Sequence, residues 1–422
     1  MDSRGSAGVP LGSDRSTQPL LIVLPYFSFD SLLSRGFTRS VTLRVTEVLS
    51  RVDDLRVTAA ASAINIPRNL TIPEICQRFG VDYVLRGQIV RVDQTLYFTQ
   101  WLYEAPTGAL IFEHKVECGL GQLEEFERDV LSRVIASIRV PLKENEIDRI
   151  MRERPRNRSA YELALRAQVT IHRLDRRSFA LAKKLLLRAL DKDPGYATAY
   201  AWLARHYAIL IGQGWSCDRN SDAREAKRLA DLAARLDPDN SIALATAGHL
   251  RSYLYRDYQQ GELLLRRAIR SSPNEPLGYL FLGGTLAFTG RGHEGRACVE
   301  YALSLSPLDS QAFLFLNFAA VCCYADSDYA SAIAYGRQAK RLNPNYTTTL
   351  KVLSASLVAH GNVNEAREIA ARLRRTEPSY TPAAAQMTLP FRDLAVRDQF
   401  VRQLRTAGCF DARTRLQRTA AD

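Results

Sequence analysis

The chain lacks any run approaching the roughly 18 consecutive apolar residues that a membrane-spanning helix needs. Its longest candidate, Leu20 to Phe27, is broken by Pro25 and reads as a buried strand, so no membrane span is expected. Cysteine is sparse and unpatterned. Cys76, Cys118, Cys217, Cys298, Cys322, Cys323 and Cys409 are odd in number and nowhere spaced C-x-x-C, which argues against a disulfide framework and against a zinc site. A reducing, cytoplasmic compartment is the matching expectation. The six histidines, His114, His172, His206, His249, His293 and His360, never fall at metal-ligand spacing from one another. Neither a G-x-x-x-x-G-K-[ST] phosphate loop nor a His-Glu-x-x-His pair occurs, and no metal or organic cofactor is expected. Met1 to Gln18 carries Gly, Ser, Asp and Arg without an apolar core, the make-up of a disordered leader rather than of a secretion signal or transit helix.

What is present is ordinary globular material. The 422 residues, 46% hydrophobic and 24% charged, suffice for two or three domains. A net charge of +12 first suggests nucleic acid, but it is spread thinly: from residue 159 onward 36 Lys and Arg face 25 Asp and Glu. The densest cluster, Arg149, Arg152, Arg154, Arg156 and Arg158, is interleaved with Asp148 and Glu153 and reads as a solvated basic linker helix over 142–158. Nucleic acid is therefore not the expected partner.

Several motifs tempt a chemical reading. Gly290-Arg-Gly292-His-Glu-Gly295 is a literal G-x-G-x-x-G, yet it follows a helical stretch beginning near Leu277 where a dinucleotide site needs a preceding strand. His172-Arg-Leu-Asp175 stands without the glycine-rich loop or Asp-Phe-Gly of a kinase and reads as a helix end. Cys322 and Cys323 read as neighbouring thiols in a helix, and Asp53-Asp54 and Glu124-Glu125 as solvated charges. Nothing assembles a nucleophile, a base and an orienting group, so an enzyme is not expected.

The strongest signal is a repeat. Leu190-Asp-Lys-Asp-Pro194, Leu236-Asp-Pro238, Ile269-Arg-Ser-Ser-Pro273, Leu305-Ser-Pro307, Leu342-Asn-Pro344 and Thr376-Glu-Pro378 follow one another at 44, 35, 34, 37 and 34 residues. Proline ends each preceding helix and the polar residue beside it can cap the next, so each marker is a helix-turn-helix junction. Between the markers a large, Leu, small, large pattern recurs: Tyr200, Leu203, Ala204, Tyr207; Leu244, Ala247, Gly248; Tyr279, Leu282, Gly283, Leu286; Phe313, Leu316, Asn317, Ala320; Leu350, Leu353, Ser354, Leu357. This pattern resembles the tetratricopeptide repeat, in which small residues let paired helices approach and large ones fill the space between pairs. The resemblance covers about 159–380, a less regular first unit included, and residues 381–422 read as a capping helix, from Phe391 to about Ala407, and a tail.

Residues 19–141 behave differently. Leu20 to Leu24 and Leu55 to Ala60 read as strands, Ser31 to Ser50 and Ile72 to Phe79 as helices, and Tyr83 to Val92, Thr95 to Tyr103 and Ala109 to Glu117 as a three-strand meander followed by a helix from Gln122 to Ile138. Ile22-Val-Leu-Pro25-Tyr-Phe, Leu49-Ser-Arg-Val-Asp-Asp-Leu-Arg-Val57, Phe79-Gly-Val-Asp-Tyr-Val-Leu-Arg-Gly-Gln88 and Ala105-Pro-Thr-Gly-Ala109 resemble, in that order, the TolB-like amino-terminal module that precedes tetratricopeptide repeats in many bacterial regulators. The expected fold is thus α+β to mostly α: a small α/β domain with a mixed sheet, then an α-α superhelix.

The TolB-like resemblance implies the sensory or partner-binding half of invasion-gene-type transcription activators and of some class III adenylate cyclases. Residues 1–18 are too few for their winged-helix or cyclase domain, so a chain without that output domain is expected. By the tetratricopeptide pattern, the concave face takes Arg205, His249, Leu277, Leu280, Leu314, Phe318, Val321 and Lys351, apolar at the centre with the basic residues at its flanks. The family's Lys/Asn/Arg carboxylate clamp is absent, and the groove suits an amphipathic helix or an extended hydrophobic segment of a protein partner. Packing against the α/β domain or a second copy of the chain is the alternative cover for that patch. The function expected is a non-enzymatic, protein-binding adaptor or regulator in bacterial transcription or secretion control. The alternatives are a DNA-associated transcriptional regulator and the detached sensory half of a cyclase.

Overall fold

The computed structural model describes residues 18–30, 33, 35–52, 55–63, 65–67, 70–93, 95–119, 126, 129–130, 158–307 and 309–410. The expected leader (but for Gln18), nearly all of the helices expected over 122–138 and 142–158, both acid pairs and the end of the tail lie outside the described residues. The chain forms two compact units, one of residues 1–165 with 269–276 and 303–310, the other of 166–268, 277–302 and 311–422.

In the first unit, β1 (Leu20–Val23), β2 (Arg56–Val57), β3 (Tyr83–Val92), β4 (Thr95–Glu104) and β5 (Leu110–Gly119) form one sheet in the order β2-β1-β3-β4-β5. β1 is parallel to both neighbours, whereas β3, β4 and β5 form an antiparallel meander. A parallel strand covered on both faces must be apolar on both, which is why β1 reads as an unbroken run. Leu21 and Val23 join Val41, Val45, Val48 and Leu49 of helix α1 (Arg35–Ser50) and Leu85, Ile89, Phe98 and Leu102 of the meander. Leu20 and Ile22 point the other way, packing with Ile75 of helix α3 (Ile72–Phe79) and with Val84. A short helix α2 (Ala60–Ala63) lies between. Thr71 starts α3 with a capping box: its side chain accepts from the Glu74 N–H, and the Glu74 carboxylate accepts from the Thr71 N–H at 2.7 Å. Gly80 ends α3 at φ 61, the left-handed region glycine adopts without Cβ strain. At Gly87 a Cβ would stand 2.1 Å from Cε1 of the fully buried Tyr26, so only glycine lets that ring lie against β3.

Within this unit, the repeat marker around Pro273 contributes more than a turn. The buried Asn274 amide donates to the carbonyls of Ser50 (3.0 Å) and Leu55 (2.7 Å), while its oxygen accepts from the N–H of Val57 (3.2 Å). Asn274 thereby satisfies two backbone groups at the β2 edge, where no neighbouring strand pairs them, and the carbonyl of the last residue of α1. Ala59 N–H donates likewise to Leu305 O at 2.7 Å.

The remaining elements are antiparallel helix hairpins: α4 (Arg158–Ile171) with α5 (Arg176–Lys192), α6 (Ala197–Gly212) with α7 (Arg219–Leu236), α8 (Ser241–Tyr255) with α9 (Tyr258–Ser271), α10 (Pro276–Phe288) with α11 (Gly292–Leu305), α12 (Ala312–Ala325) with α13 (Tyr329–Leu342), and α14 (Thr347–Ala359) with α15 (Val363–Thr376). Helices α16 (Pro382–Thr388) and α17 (Leu394–Ala407) follow. Asp175, Asp218 and Asp328 cap α5, α7 and α13 by accepting from the N–H three residues on, at 2.8, 3.0 and 3.1 Å. The His172 to Asp175 stretch is thus a helix end and a cap. The glycines of the G-x-G-x-x-G stretch are structural too: a Cβ at Gly295 would meet Gly283 O at 2.5 Å, where α10 and α11 touch backbone to backbone. These hairpins form the tetratricopeptide superhelix expected from the repeats. No helix among the described residues is long and apolar enough to cross a membrane.

Candidate binding site: a filled concave groove

In the second unit the first helices of the hairpins line a concave face, and that face closes on itself. Arg205 of α6 donates from Nη2 to Gln311 Oε1, which precedes α12, at 2.8 Å. Thr347, at the start of α14, donates from its N–H to Gln213 Oε1 at 3.3 Å and from its hydroxyl to Gly212 O at 3.1 Å. The second hairpin therefore touches the fifth and sixth across the groove.

The opening that remains is crossed by the segment between α16 and α17. Arg256 Nη2 points at the carbonyls of Gln386 (3.3 Å), Met387 (2.9 Å) and Leu389 (3.0 Å), and the Tyr258 hydroxyl donates to Pro390 O at 2.7 Å. Arg392 N–H donates to Phe288 O at 2.7 Å. The side chain of Phe391 is buried among Phe288, Tyr324 and Phe400 with ring centroids 5.9–6.1 Å apart. Side-chain donors on backbone carbonyls, plus one seated aromatic ring, are the means by which a groove holds an extended peptide. Here the peptide is the chain's own, residues 386–392, termed the strap: Gln386 to Thr388 are the last turn of α16, whose end carbonyls Arg256 caps, and the chain leaves the helix from Leu389 onward. The expected capping helix from Phe391 starts three residues later: Asp393 caps α17, and Leu389 before Pro390 is extended (φ -64, ψ 125), as the residue preceding a proline tends to be.

Beneath the strap lies a cavity of about 120 Å³. Of the residues the repeat pattern assigns to the concave face, Arg205, His249, Leu314, Phe318, Val321 and Lys351 line it. Leu277 and Leu280 do not; both are buried, Leu280 completely. The basic residues sit within the cavity wall. Arg205 lies over the rings of Trp202 (4.7 Å) and Phe281 (5.6 Å). His249 stacks on Phe281 at 4.1 Å and on Tyr253 at 5.3 Å. Burial, and secondarily the Arg205 charge, push its pKa down to about 3, so the imidazole is neutral at pH 7. Lys351 pairs with the buried Glu377 at 2.7 Å and rests 4.1 Å from the Tyr380 ring centre. Burial pushes the thiols up, Cys298 to about 12 and Cys323 and Cys409 to about 11, and such protonated thiols are poor nucleophiles.

Sequence reasoning missed Arg256, Tyr258, Gln213 and the strap. Arg256 lies at φ 56, just past the end of α8, and Gln213 just past α6, outside the helical offsets that define a concave face. Leu389-Pro390-Phe391, an apolar triplet that proline holds out of a helix, was the one available signal.

No family model matches the chain. A putative adenylate cyclase of Rhizobium meliloti (strain 1021) is 25% identical to it over 235 residues, 54% of this chain and 40% of that protein, so the chain spans well under two thirds of that relative. A solved tetratricopeptide protein of Thermus thermophilus is 17% identical, covering 46% of this chain and 99% of that one at a TM-score of 0.36. TolB from Acinetobacter baumannii is 15% identical, covering 29% of this chain and 28% of that one at a TM-score of 0.24.

Proposed function

We propose that the protein is a non-enzymatic regulatory adaptor. Its tetratricopeptide groove takes an extended, proline-containing apolar segment of a protein partner, and its own strap holds that groove closed until the partner arrives. The observation that carries this reading is the strap itself, because Arg256 on the carbonyls at the end of α16 and of Leu389, and Tyr258 on the Pro390 carbonyl, bind main-chain atoms that a partner's proline-containing segment leaving a helix end also presents. The stretch shared with a putative adenylate cyclase supports a regulatory setting. So does the TolB-like motif series, which belongs to the sensory side of bacterial regulators.

The test uses two full-length variants. Leu389→Asp with Phe391→Asp frees the strap and leaves the grip intact; adding Arg256→Ala and Tyr258→Phe removes the grip as well. Affinity capture from the native cells should recover partners with the first variant that wild type and the second variant fail to retain. Equal recovery by all three folded proteins would refute the reading.

A further inference from the structure

The cavity beneath the strap contains hydrogen-bonding atoms that none of the described residues uses. Gln213 is 1% exposed. Its amide oxygen accepts from the Thr347 N–H, which fixes the orientation of the group and leaves Nε2 as the donor facing the cavity. That Nε2 has no hydrogen-bond partner among the described residues, and neither does Nδ1 of His249 on the same cavity wall. A buried donor left unmade is costly, and native proteins supply it with water or with a ligand. The wall also carries aromatic side chains, including Phe281, Phe318, Tyr346 and the strap's Phe391.

From these features we infer that the cavity is a binding site for a small aromatic molecule bearing a carbonyl oxygen, with the ring between the aromatic walls and the oxygen on Gln213 Nε2. The size fits a single ring. An apolar protein cavity of about 150 Å³ takes benzene, and this one, at about 120 Å³, belongs to the same class. The aromatic rings orient the ligand by stacking and edge contacts, and the amide N–H distinguishes a carbonyl-bearing ring from a plain hydrocarbon. Arg205, on the wall, favours a carboxylate over a neutral carbonyl, whereas the charge of Lys351 is met by Glu377. Leu389 and Phe391 line the site too, so an occupant would rest directly against the strap. The site requires neither displacement of the strap nor a protein partner, so its failure would leave the peptide-binding reading standing.

The experiment is ligand-observed NMR on the full chain with benzoate, benzamide and benzene as probes. Benzoate and benzamide should show saturable binding, benzoate the tighter because of Arg205, while benzene binds more weakly than both. Gln213→Leu should weaken benzamide about 3- to 10-fold, the range of one neutral hydrogen bond, and leave benzene unchanged. Ala208→Leu, which adds bulk at a buried residue of the cavity wall, should abolish binding of all three while the protein stays folded by circular dichroism. Absence of saturable binding by any probe, or undiminished binding to folded Ala208→Leu protein, would overturn the assignment.

Discussion

Replacing Arg256 by Ala should release the strap without unfolding the superhelix. One guanidinium nitrogen with two hydrogens serves three strap carbonyls at 2.9–3.3 Å, so two charge-assisted bonds are at stake rather than three. Bonds from a charged donor are worth about 1.5–3 kcal/mol each when buried, and Arg256 is only half-buried, which brings the expected loss to about 2 kcal/mol. The φ of 56 is as strained for Ala as for Arg, so the backbone contributes no compensating gain. A loss of that size makes local opening about 30-fold more frequent. Hydrogen exchange followed by mass spectrometry reads this directly, because the Arg392 amide is bonded to Phe288 O only while the strap is docked. Exchange of residues 389–393 should accelerate by about that factor while α12 and α14 keep their protection. Unchanged exchange in 389–393 would refute the idea that Arg256 holds the strap, and collapse of protection throughout the superhelix would show that the strap is core rather than closure.

Lys351→Met should cost about 3 kcal/mol by stranding the buried Glu377 carboxylate, and adding Glu377→Gln should recover much of that loss in urea-unfolding midpoints; additive losses would contradict the pair. Asn274→Ala leaves two carbonyls and one N–H of the first unit unmet and should destabilise that unit by about 2–4 kcal/mol, visible as early loss of β2 and α1 protection in exchange. The pKa of buried His206 is pushed down from 6.5 to about 4, chiefly by burial and then by Lys183. That of His249 falls to about 3. In both cases the unfolded chain binds the proton more readily, so stability is intact above pH 6.5 and is lost as pH falls toward the folded values, by about 2 kcal/mol per histidine at pH 5. A urea midpoint that stays flat between pH 7 and 5, or one whose slope His206→Gln leaves unaltered, would contradict this.

Much of the fold was legible because its signals are local and repeated. Proline markers about 34 residues apart announce hairpins, and the alternation of residues 83–117 announces a meander that the structure places at 83–92, 95–104 and 110–119. β2 was harder to read. The run from Leu55 to Ala60 looks like a full strand, but only Arg56 and Val57 pair in register with β1, and the carbonyl of Leu55 is taken up by Asn274, more than 200 residues away. The concave face was legible as a set of helix offsets, which brought six of the eight residues to one cavity. Whether that face is open or filled was not legible, since closure depends on Arg256 reaching residues 130 to 133 positions away, and sequence spacing carries no trace of such a contact.

If the strap is the groove's resident occupant, a labelled peptide of residues 384–394, followed by fluorescence anisotropy, should bind the Leu389→Asp, Phe391→Asp variant and not wild type. A tethered strap competes at an effective concentration on the order of millimolar, so wild type should show no binding at micromolar protein, whereas the variant should bind with a Kd on the order of 10 μM. A folded variant that fails to bind the peptide, or wild type that binds it equally well, would show that the strap is not a displaceable occupant of the groove.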